Sequence, residues 1–402
     1  MALLSVEEAL QRILDGVEPM PAESLPIAAT GGRTLASPLA ARLTQPPFDA
    51  SAMDGYAVRQ ADVCTLPATL TEIGQAAAGH PFTGHVGAGQ AVRIFTGAAV
   101  PIGADAIVVQ ENVSRDGSKI VVRDGVTRSG DHVRKRGFDF QAGDTLLEAG
   151  RRIGPRELSL AAAMGHGELA VRRRPRVAVL ATGDELIEPG GSLGAGQIIA
   201  SNHLGVAALA EATGAESRLL GIARDTRASL DAHIAMAADA DAIVTIGGAS
   251  VGDHDLVEPV LEARGMALAF WKIAMRPGKP LMFGRLGQAR VLGLPGNPVS
   301  AIVCARVFLV PLIRALLGQP GRDQGLKPAR AAVALEANGP RAHYMRATSR
   351  IGADGIAEVT PVRSQDSSLL APLAQADCLL VRPISAPAAA AGSAIQILPL
   401  DF

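Results

Sequence analysis

Four short loops in the middle of the sequence combine carboxylates, glycines and basic residues, and each follows an apolar run. Carboxylate oxygens suit Mg²⁺, which usually bridges its protein ligands to the phosphates of a substrate. Glycine-rich backbone and helix N-termini bind phosphate oxygens. The combination predicts a phosphate-bearing substrate handled with Mg²⁺. The loops are Thr182-Gly183-Asp184-Glu185, Arg224-Asp225, the segment from Gly247 and Gly248 through Gly252 to Asp255, and Pro295-Gly296-Asn297-Pro298.

A fifth segment adds positive charge. Lys272, Arg276 and Lys279 lie within eight residues of each other, although the sequence contains few lysines. Such side chains hold anionic oxygens. A simpler interpretation is that each acidic residue only caps a helix, as the capping-box spacing of Asp255 and Glu258 suggests. Because several strand-like runs end in such residues, the pattern favours a site.

Other catalytic patterns are not found in the sequence. There is no Gly-x-x-x-x-Gly-Lys-Ser/Thr run, so a P-loop ATPase is excluded, and the histidines show no metal-ligand spacing. No nucleophile with its base can be assembled from spacing alone. The run from Gly165 through Gly167 to Ala170 matches a dinucleotide fingerprint, but a predicted helix precedes it and a predicted strand follows it. The fingerprint requires the reverse order.

The loops are predicted to share one edge of a sheet. From 176 to 317, strand-like runs alternate with helical segments, which is typical of a mostly parallel sheet with helices on both faces. Ligands bind at the carboxyl ends of the strands of such a sheet. The predicted strands are 176–181, 219–223, 242–246 and 291–294, with a further run at 280–283, and helices are predicted to begin at Asn202, Thr226, Asp255 and Pro298.

The flanking chain is predicted to be mainly β. Ser5 and Glu8 have the pattern of a capping box that starts an amphipathic helix. Between 66 and 136, short β-like runs alternate with glycines, and Asp116-Gly117 marks a hairpin. Short β-like runs return after 326 and predict a small C-terminal β domain.

Three polar features lie in this flanking chain. Asp54 is in a tight turn, Thr96 is at a strand end, and a loop from Arg134 to Asp139 combines three cations with a carboxylate. An ordinary turn or a solvated surface loop explains each of these features without a function.

Composition limits the class of protein. The chain has 402 residues, a hydrophobic content of 48% and a net charge of −1, which predicts several folded domains and gives no basic surface for nucleic acid. Three separated cysteines fit a reducing compartment. The N-terminus lacks the pattern of a signal peptide, and charged residues interrupt the apolar segment 301–317, which predicts a buried helix. We therefore expect a cytoplasmic protein without a membrane span.

Six motifs occur along the chain and together resemble one known family. In order they are Ser51-Ala-Met-Asp-Gly-Tyr-Ala57, Arg93-Ile-Phe-Thr-Gly97, Thr182-Gly-Asp-Glu-Leu186, Gly247-Gly-Ala-Ser-Val-Gly252 with Asp255, Lys279-Pro280 after a Pro-Gly, and Gly293-Leu-Pro-Gly-Asn-Pro-Val-Ser-Ala301. They resemble the molybdopterin molybdenumtransferase family, which includes the E domain of gephyrin and of its plant counterpart. The resemblance covers nearly the whole chain.

The resemblance implies an α/β plus β fold in an elongated, multidomain subunit. An extended linking domain is expected at 1–45 and 138–172, and an inserted β-rich domain at 46–137. An α/β molybdopterin-binding domain at 173–322 and a C-terminal β-barrel-like domain at 323–402 complete it. The resemblance also implies a homodimer, in which the β domain of one subunit meets the α/β and C-terminal domains of the other.

The implied reaction inserts molybdate into adenylated molybdopterin with Mg²⁺ and releases AMP. The adenylyltransferase that makes the adenylated pterin is one alternative, and a non-catalytic scaffold of the gephyrin type is another. The residues alone support a Mg²⁺-dependent enzyme acting on a sugar phosphate or nucleotide. The expected protein partners are the adenylyltransferase and molybdoenzyme-maturation proteins.

The resemblance also implies roles for individual residues, with Asp225 and Asp255 as the Mg²⁺ ligands. Arg276 stands where lysine is common, and Ala371 and Asp377 replace a frequent serine and asparagine. The expected catalytic positions are Asp54, Thr96, Asp139, Glu185, Asp225, Asp255, Lys272 and Arg276. The expected substrate-binding positions are Arg134, Gly247, Gly248, Ser250, Gly252, Pro295, Gly296, Asn297 and Pro298, together with Lys279, Arg346 and Ser367 as the molybdate-contacting set.

Overall fold

A computed structural model describes residues 3–125, 128–248, 256–319 and 325–401. Short 3₁₀ turns occur at Ile27–Ala29, Gln60–Asp62 and Gln110–Asn112, and a π-helical turn at Ala305–Leu309. The α-helices within the described ranges are α1 (Val6–Leu14), α2 (Pro155–Ala163), α3 (Asn202–Thr213), α4 (Arg227–Ala235), α5 (Val257–Ala263), α6 (Pro298–Cys304), α7 (Val310–Leu316) and α8 (Leu370–Gln375).

The strands are numbered in chain order in the same ranges. They are β1 (Ala22–Pro26), β2 (Leu39–Ala40), β3 (Ala50–Ser51), β4 (Gly55–Val58), β5 (Ala68–Ala76), β6 (Gln90–Ile94), β7 (Ala106–Val109), β8 (Val113–Asp116), β9 (Lys119–Val122), β10 (Val133–Arg134), β11 (Thr145–Leu147), β12 (Glu168–Arg172) and β13 (Arg176–Thr182). They continue with β14 (Leu186–Ile187), β15 (Ile198–Ile199), β16 (Glu216–Ala223), β17 (Ala242–Ile246), β18 (Ala267–Trp271), β19 (Met275–Arg276), β20 (Met282–Leu286), β21 (Ala289–Leu294), β22 (Lys327–Ala331), β23 (Ala342–Ile351), β24 (Ala357–Pro361), β25 (Cys378–Arg382) and β26 (Ala394–Pro399).

The central α/β unit contains a six-stranded sheet in the order β16-β13-β17-β21-β20-β18. Its first four strands are parallel. The runs of β13, β17 and β21 are almost entirely buried, as strands covered on both faces should be, whereas most of the edge strand β16 is exposed or half-buried. The sheet confirms the predicted α/β unit. The run predicted at 280–283 is β20, which is antiparallel to β21, and β18 was not predicted.

The helices of this unit begin close to the predicted residues. Helix α4 has the side chain of Thr226 as its N-cap, and α3 and α6 begin at Asn202 and Pro298 as predicted. Helix α5 begins at Val257 with Leu256 as its N-cap, so the predicted start at Asp255 is two residues too early. Asp255 itself lies outside the described residues.

One long helical segment forms much of the central core. Among the described residues, Pro298–Leu316 is long and apolar enough to cross a bilayer, but most of this segment is buried inside the fold. The buried helix predicted at 301–317 is therefore confirmed. Its π-helical turn directly precedes α7, where Pro311 cannot donate a backbone hydrogen bond. Helix α1, with the predicted capping box of Ser5 and Glu8, packs into the same core.

A linking unit joins this α/β unit to the rest of the chain. It consists of the two-stranded sheets β1-β12 and β2-β11 with helix α2, which share one apolar core. The inserted β unit is a six-stranded sheet in the order β7-β4-β6-β5-β9-β8. Strands β8 and β9 form the hairpin predicted at Asp116-Gly117.

The C-terminal unit is a closed barrel of five strands. Its strands are hydrogen-bonded in the order β23-β24-β22-β26-β25, and a further pairing of β25 with β23 closes the circle. Strand β19, which belongs to the cationic segment of the α/β unit, pairs with β23 and extends this sheet. The structure confirms the α/β plus β fold class, with the barrel directly joined to the loop that carries Arg276.

Candidate functional site

A cleft of about 1140 Å³ lies where the carboxyl ends of the central strands face the barrel. All four predicted loops, as far as they are described, contribute to it, as does the cationic segment. The predicted site residues that line the cleft are Glu185, Asp225, Gly247, Gly248, Arg276, Lys279, Pro295, Gly296, Asn297, Pro298 and Ser367.

One side of the cleft is acidic. The backbone N–H of Asp225 donates to Oδ1 of Asp184 at 3.2 Å, and Arg224 Nη1 donates to the Asp184 carbonyl at 2.8 Å. Burial raises the pKa of Asp225, and the negative charges of Asp184 and Glu185 raise it further. The loops after β13 and β16 therefore present clustered carboxylates that a cation would stabilise.

Gly247 lets two of these loops approach closely. It has a φ of 95°, and a Cβ at this position would lie 2.5 Å from the Thr182 carbonyl oxygen. Both the backbone conformation and the contact require glycine.

We expect Gly247→Ala to destabilise the protein more than Gly265→Ala does. Gly265 is the matched control, because its φ is 93° and its added Cβ would have no neighbour within 4 Å. The positive φ should cost about 1 kcal/mol or more in both variants, and the contact with Thr182 should add roughly 1–3 kcal/mol in the first. Urea unfolding measures the difference. Equal losses of stability in the two variants would show that the contact with Thr182 does not change the free energy of unfolding.

The opposite side of the cleft is cationic. Arg276 and Lys279 line it, as does Arg341, which was not predicted. His343 lies beside Arg276 in the β19-β23 pairing. Burial and then the charges of Arg276 and Arg341 lower the pKa of His343 to about 4. His343 is therefore neutral near pH 7, mainly because it is buried, and the two nearby cations favour the same neutral form.

Arg341→Ala should raise the pKa of His343. Because burial is the larger cause, the pKa should remain below the ordinary histidine value of about 6.5. An NMR titration of the His343 ring measures the change. The exposed Arg350, on the same strand, serves as the control: Arg350→Ala should leave the titration unchanged. An unchanged His343 titration in Arg341→Ala would contradict the proposed cationic field.

The loop after β21 joins the α/β unit to the barrel. Asn202 Nδ2 donates to the Gly296 carbonyl at 2.6 Å, and Asn297 Nδ2 donates to Ser367 Oγ at 2.9 Å. The Val299 N–H donates to the Ser367 carbonyl at 3.1 Å. These bonds fix the position of Ser367 at the cleft.

Arg346 holds the loop that carries Ser367. Its side chain is only 1% exposed, and its guanidinium donates to the carbonyl oxygens of Ser364, Asp366 and Leu369 at 2.8–2.9 Å. In this structure Arg346 supports the loop of Ser367 and is not among the described residues that line the cleft, and its contact with molybdate stays a prediction.

Several other predicted site residues lie outside the lining of the cleft. Lys272 has a positive φ of 74° in the cationic segment. In the β unit, Asp54 Oδ1 accepts hydrogen bonds from the backbone N–H and the hydroxyl of Thr96 at 2.8 and 2.7 Å, which lower the pKa of Asp54. Arg134 ends β10, and Asp139 follows it in the chain toward the linking unit. Ser250, Gly252 and Asp255 are outside the described residues.

Three family models match the chain and together cover most of it. Residues 4–165 match the MoeA N-terminal region (domain I and II), residues 178–315 a probable molybdopterin binding domain, and residues 328–400 the MoeA C-terminal region (domain IV). The chain is also 36% identical to the molybdopterin molybdenumtransferase of Haemophilus influenzae, with 99% of each chain covered. The chain belongs to the molybdopterin molybdenumtransferase family.

Other members of this family agree over similar lengths. The molybdopterin molybdenumtransferase of a Nostoc species is 36% identical, with 94% of this chain and 89% of that protein covered. The crystal structure of a molybdopterin biosynthesis MoeA protein from Pyrococcus horikosii superposes with a TM-score of 0.83 at 29% identity and covers 100% of both chains. The family resemblance predicted from the motifs is confirmed.

In this member of the molybdopterin molybdenumtransferase family, the cleft also includes polar residues that the sequence did not predict as site residues. Asn202 was predicted only as a helix start. Arg341, Gln365 and Asp366 also line the cleft. They belong to the C-terminal unit, and no strand or helix pattern indicated that this part of the chain lies near the α/β unit. Their place at the cleft follows only from the position of the barrel.

Proposed function

We propose that this protein inserts molybdate into adenylated molybdopterin with Mg²⁺ and releases AMP. The observation that carries the proposal is that acidic side chains face basic side chains across one cleft. Asp225 and its neighbouring carboxylates lie on one side, and Arg276, Lys279 and Arg341 lie on the other. Family membership supports the same reaction, because the relatives are named for molybdenum transfer to molybdopterin.

The cationic side would bind the two anionic partners of the reaction. Molybdate and the phosphates of an adenylated pterin are both negative, so their approach is opposed by Coulomb repulsion that grows as water is excluded. Arg276 and Lys279 would reduce that repulsion, and a fixed arrangement of such groups costs little reorganisation during the reaction. Ser367, held by Asn297 and by the loop that Arg346 anchors, would orient the oxyanion.

The acidic side fits a Mg²⁺ ion. No group of three or more His, Cys, Asp or Glu side chains converges as a metal site among the residues that the structure describes. Mg²⁺ is commonly held by one or two carboxylates, waters and substrate phosphates, so Asp225 with the predicted Asp255 meets that requirement. Burial raises the pKa of Asp225, and the charges of Asp184 and Glu185 raise it further, which is the environment of a carboxylate that a cation would stabilise. When bound, the ion would neutralise charge on the pyrophosphate group.

A homodimer is part of the proposal. Asp54 and Thr96 form a hydrogen-bonded pair in the β unit but do not line the cleft of their own chain. A second copy whose β unit faces this cleft would bring such a pair to the substrate.

Within the same proposal, the four domains keep the predicted boundaries. The protein acts in the cytoplasm, and the adenylyltransferase and molybdoenzyme-maturation proteins are its partners.

The decisive experiment measures AMP release from adenylated molybdopterin. The full chain is incubated with this substrate, Mg²⁺ and a series of molybdate concentrations, and we expect AMP to rise with molybdate and to stop when Mg²⁺ is chelated. AMP release without any molybdate dependence would contradict the proposal. An adenylyltransferase would instead consume ATP and molybdopterin, and a scaffold would bind pterin without turnover.

A further inference from the structure

A second cavity, of about 920 Å³, lies between the linking unit and the α/β unit. It is separate from the cleft, since the two share no described lining residue. Its lining brings together the start of α2, the end of α3 and the helical segment that contains the π turn. Five arginines face it, against the carboxylates of Glu157 and Asp401. The arginines are Arg151, Arg152, Arg156, Arg306 and Arg314.

The carboxylates do not balance these arginines. Glu157 is already used, because Oε1 accepts from Arg151 Nε at 3.1 Å and Oε2 accepts from the Gly154 N–H at 3.0 Å. Arg152, Arg156 and Arg314 form no salt bridge with any described residue. The lining therefore carries excess positive charge.

Two of the guanidinium groups converge in a protected place. Arg306 is only 3% exposed, and its Nε donates to the Pro399 carbonyl at 3.1 Å. Arg306 Nη2 and Arg314 Nη1 both lie within 4.0 Å of the position that a Cβ on Gly325 would take. Burial and the charge of Arg314 lower the pKa of Arg306 to about 10, although Asp401 opposes the shift. The two guanidinium groups therefore add positive charge at this end of the cavity.

We propose that this arginine-lined cavity binds a small multivalent phosphate anion. Guanidinium groups bind phosphate oxygens through paired hydrogen bonds, which suits the forked side chains of Arg152, Arg156 and Arg314. No aromatic residue occurs in the described lining, so the cavity has no aromatic ring on which a nucleobase could stack. The arginines therefore point to the phosphate chain as the recognised group.

The position of the cavity connects it to the cleft. Helix α3 begins at the cleft with Asn202 and ends at the cavity with Thr213. The segment Pro298–Leu316 likewise begins at the cleft and reaches the cavity through Arg306 and Arg314. A bound anion would tie α2 of the linking unit to both helices and so limit movement of the linking unit against the α/β unit.

Calorimetric titration with sodium pyrophosphate at low ionic strength tests the proposal. The full chain carries Arg276→Ala and Lys279→Ala as a background, so that the cleft no longer competes for the probe. We expect this background to bind one pyrophosphate, and the addition of Arg152→Gln with Arg156→Gln to weaken binding by roughly tenfold or more, as the loss of charge-assisted hydrogen bonds should. Arg314→Gln should have a similar effect.

A matched control replaces two other exposed arginines, Arg42→Gln and Arg363→Gln, which lie outside the cavity. This pair should leave the Kd unchanged. Arg152 and Arg156 are exposed, so their replacement should not lower Tm, and an unchanged Tm excludes misfolding as the cause of weaker binding. The proposal is overturned if the background binds no pyrophosphate, if the Arg152 and Arg156 changes leave binding intact, or if adenosine binds more tightly than pyrophosphate.

Discussion

Asp225→Asn is expected to reduce AMP release by roughly 100- to 1,000-fold, as the loss of one preorganised electrostatic group at a reacting centre does. The amide keeps the shape of the side chain but removes the charge that would hold Mg²⁺. The rate of AMP release at saturating molybdate and Mg²⁺ measures the effect. Binding of the adenylated pterin should persist, because the glycine loop and the cationic side remain.

The same variant should be no less stable than the original protein. The folded protein raises the pKa of Asp225, so ionisation of this carboxylate disfavours the folded state as the pH rises through the ordinary aspartate range. A neutral Asn removes that penalty, and Tm at neutral pH should stay level or increase. Asp124→Asn, at an exposed carboxylate outside the cleft, is the control and should change neither property. If Asp225→Asn released AMP at the normal rate, Asp225 would not be a Mg²⁺ ligand.

Lys279→Ala is expected to raise the molybdate concentration needed for half-maximal AMP release by roughly 10- to 100-fold, the range for losing one charge-assisted contact. Lys279 is exposed to the cleft, and its carbonyl accepts the Ile273 N–H at 3.0 Å, a backbone bond that the substitution keeps. The loop should therefore retain its position. Initial rates over a molybdate series provide the measurement.

The affinity of Lys279→Ala for the adenylated pterin is compared with its molybdate requirement. Affinity for the adenylated pterin should change little in Lys279→Ala, because Arg276 and Arg341 still face the cleft. Lys327→Ala, at an exposed lysine on the barrel, should leave the molybdate dependence unaltered. Equal losses of molybdate and pterin binding would indicate a distorted cleft and contradict a specific role for Lys279.

The parallel strands were predictable because their periodicity is simple. A run such as Ala242–Ile246 is apolar except for Thr245 and is followed by glycine, so both its buried state and the site at its end follow from the sequence. The antiparallel edge was missed, although Gly287 and Gln288 form a two-residue connection between β20 and β21 that is typical of a hairpin. Strand β20 was recognised as a run, but its direction depends on that turn.

The barrel side of the cleft was less predictable for a different physical reason. Arg341 and Arg346 are both arginines of the same short segment, yet one lines the cleft and the other is buried against three carbonyl oxygens. Alternation along a strand does not decide this difference, because it depends on which loops pack over each face. The resemblance supplied Ser367 and Arg346 as site residues, whereas the structure distinguishes the residue at the cleft from the one that supports it.

The pairing of β19 with β23 has a consequence for dividing or recombining this protein. Arg276 belongs to the α/β unit by its place in the chain, but its backbone is a strand of the barrel's sheet, in register with His343. A fragment cut near residue 323 would separate two strands that share hydrogen bonds. A chimera that exchanges the C-terminal unit must therefore preserve the backbone of β23 if the guanidinium of Arg276 is to keep its orientation.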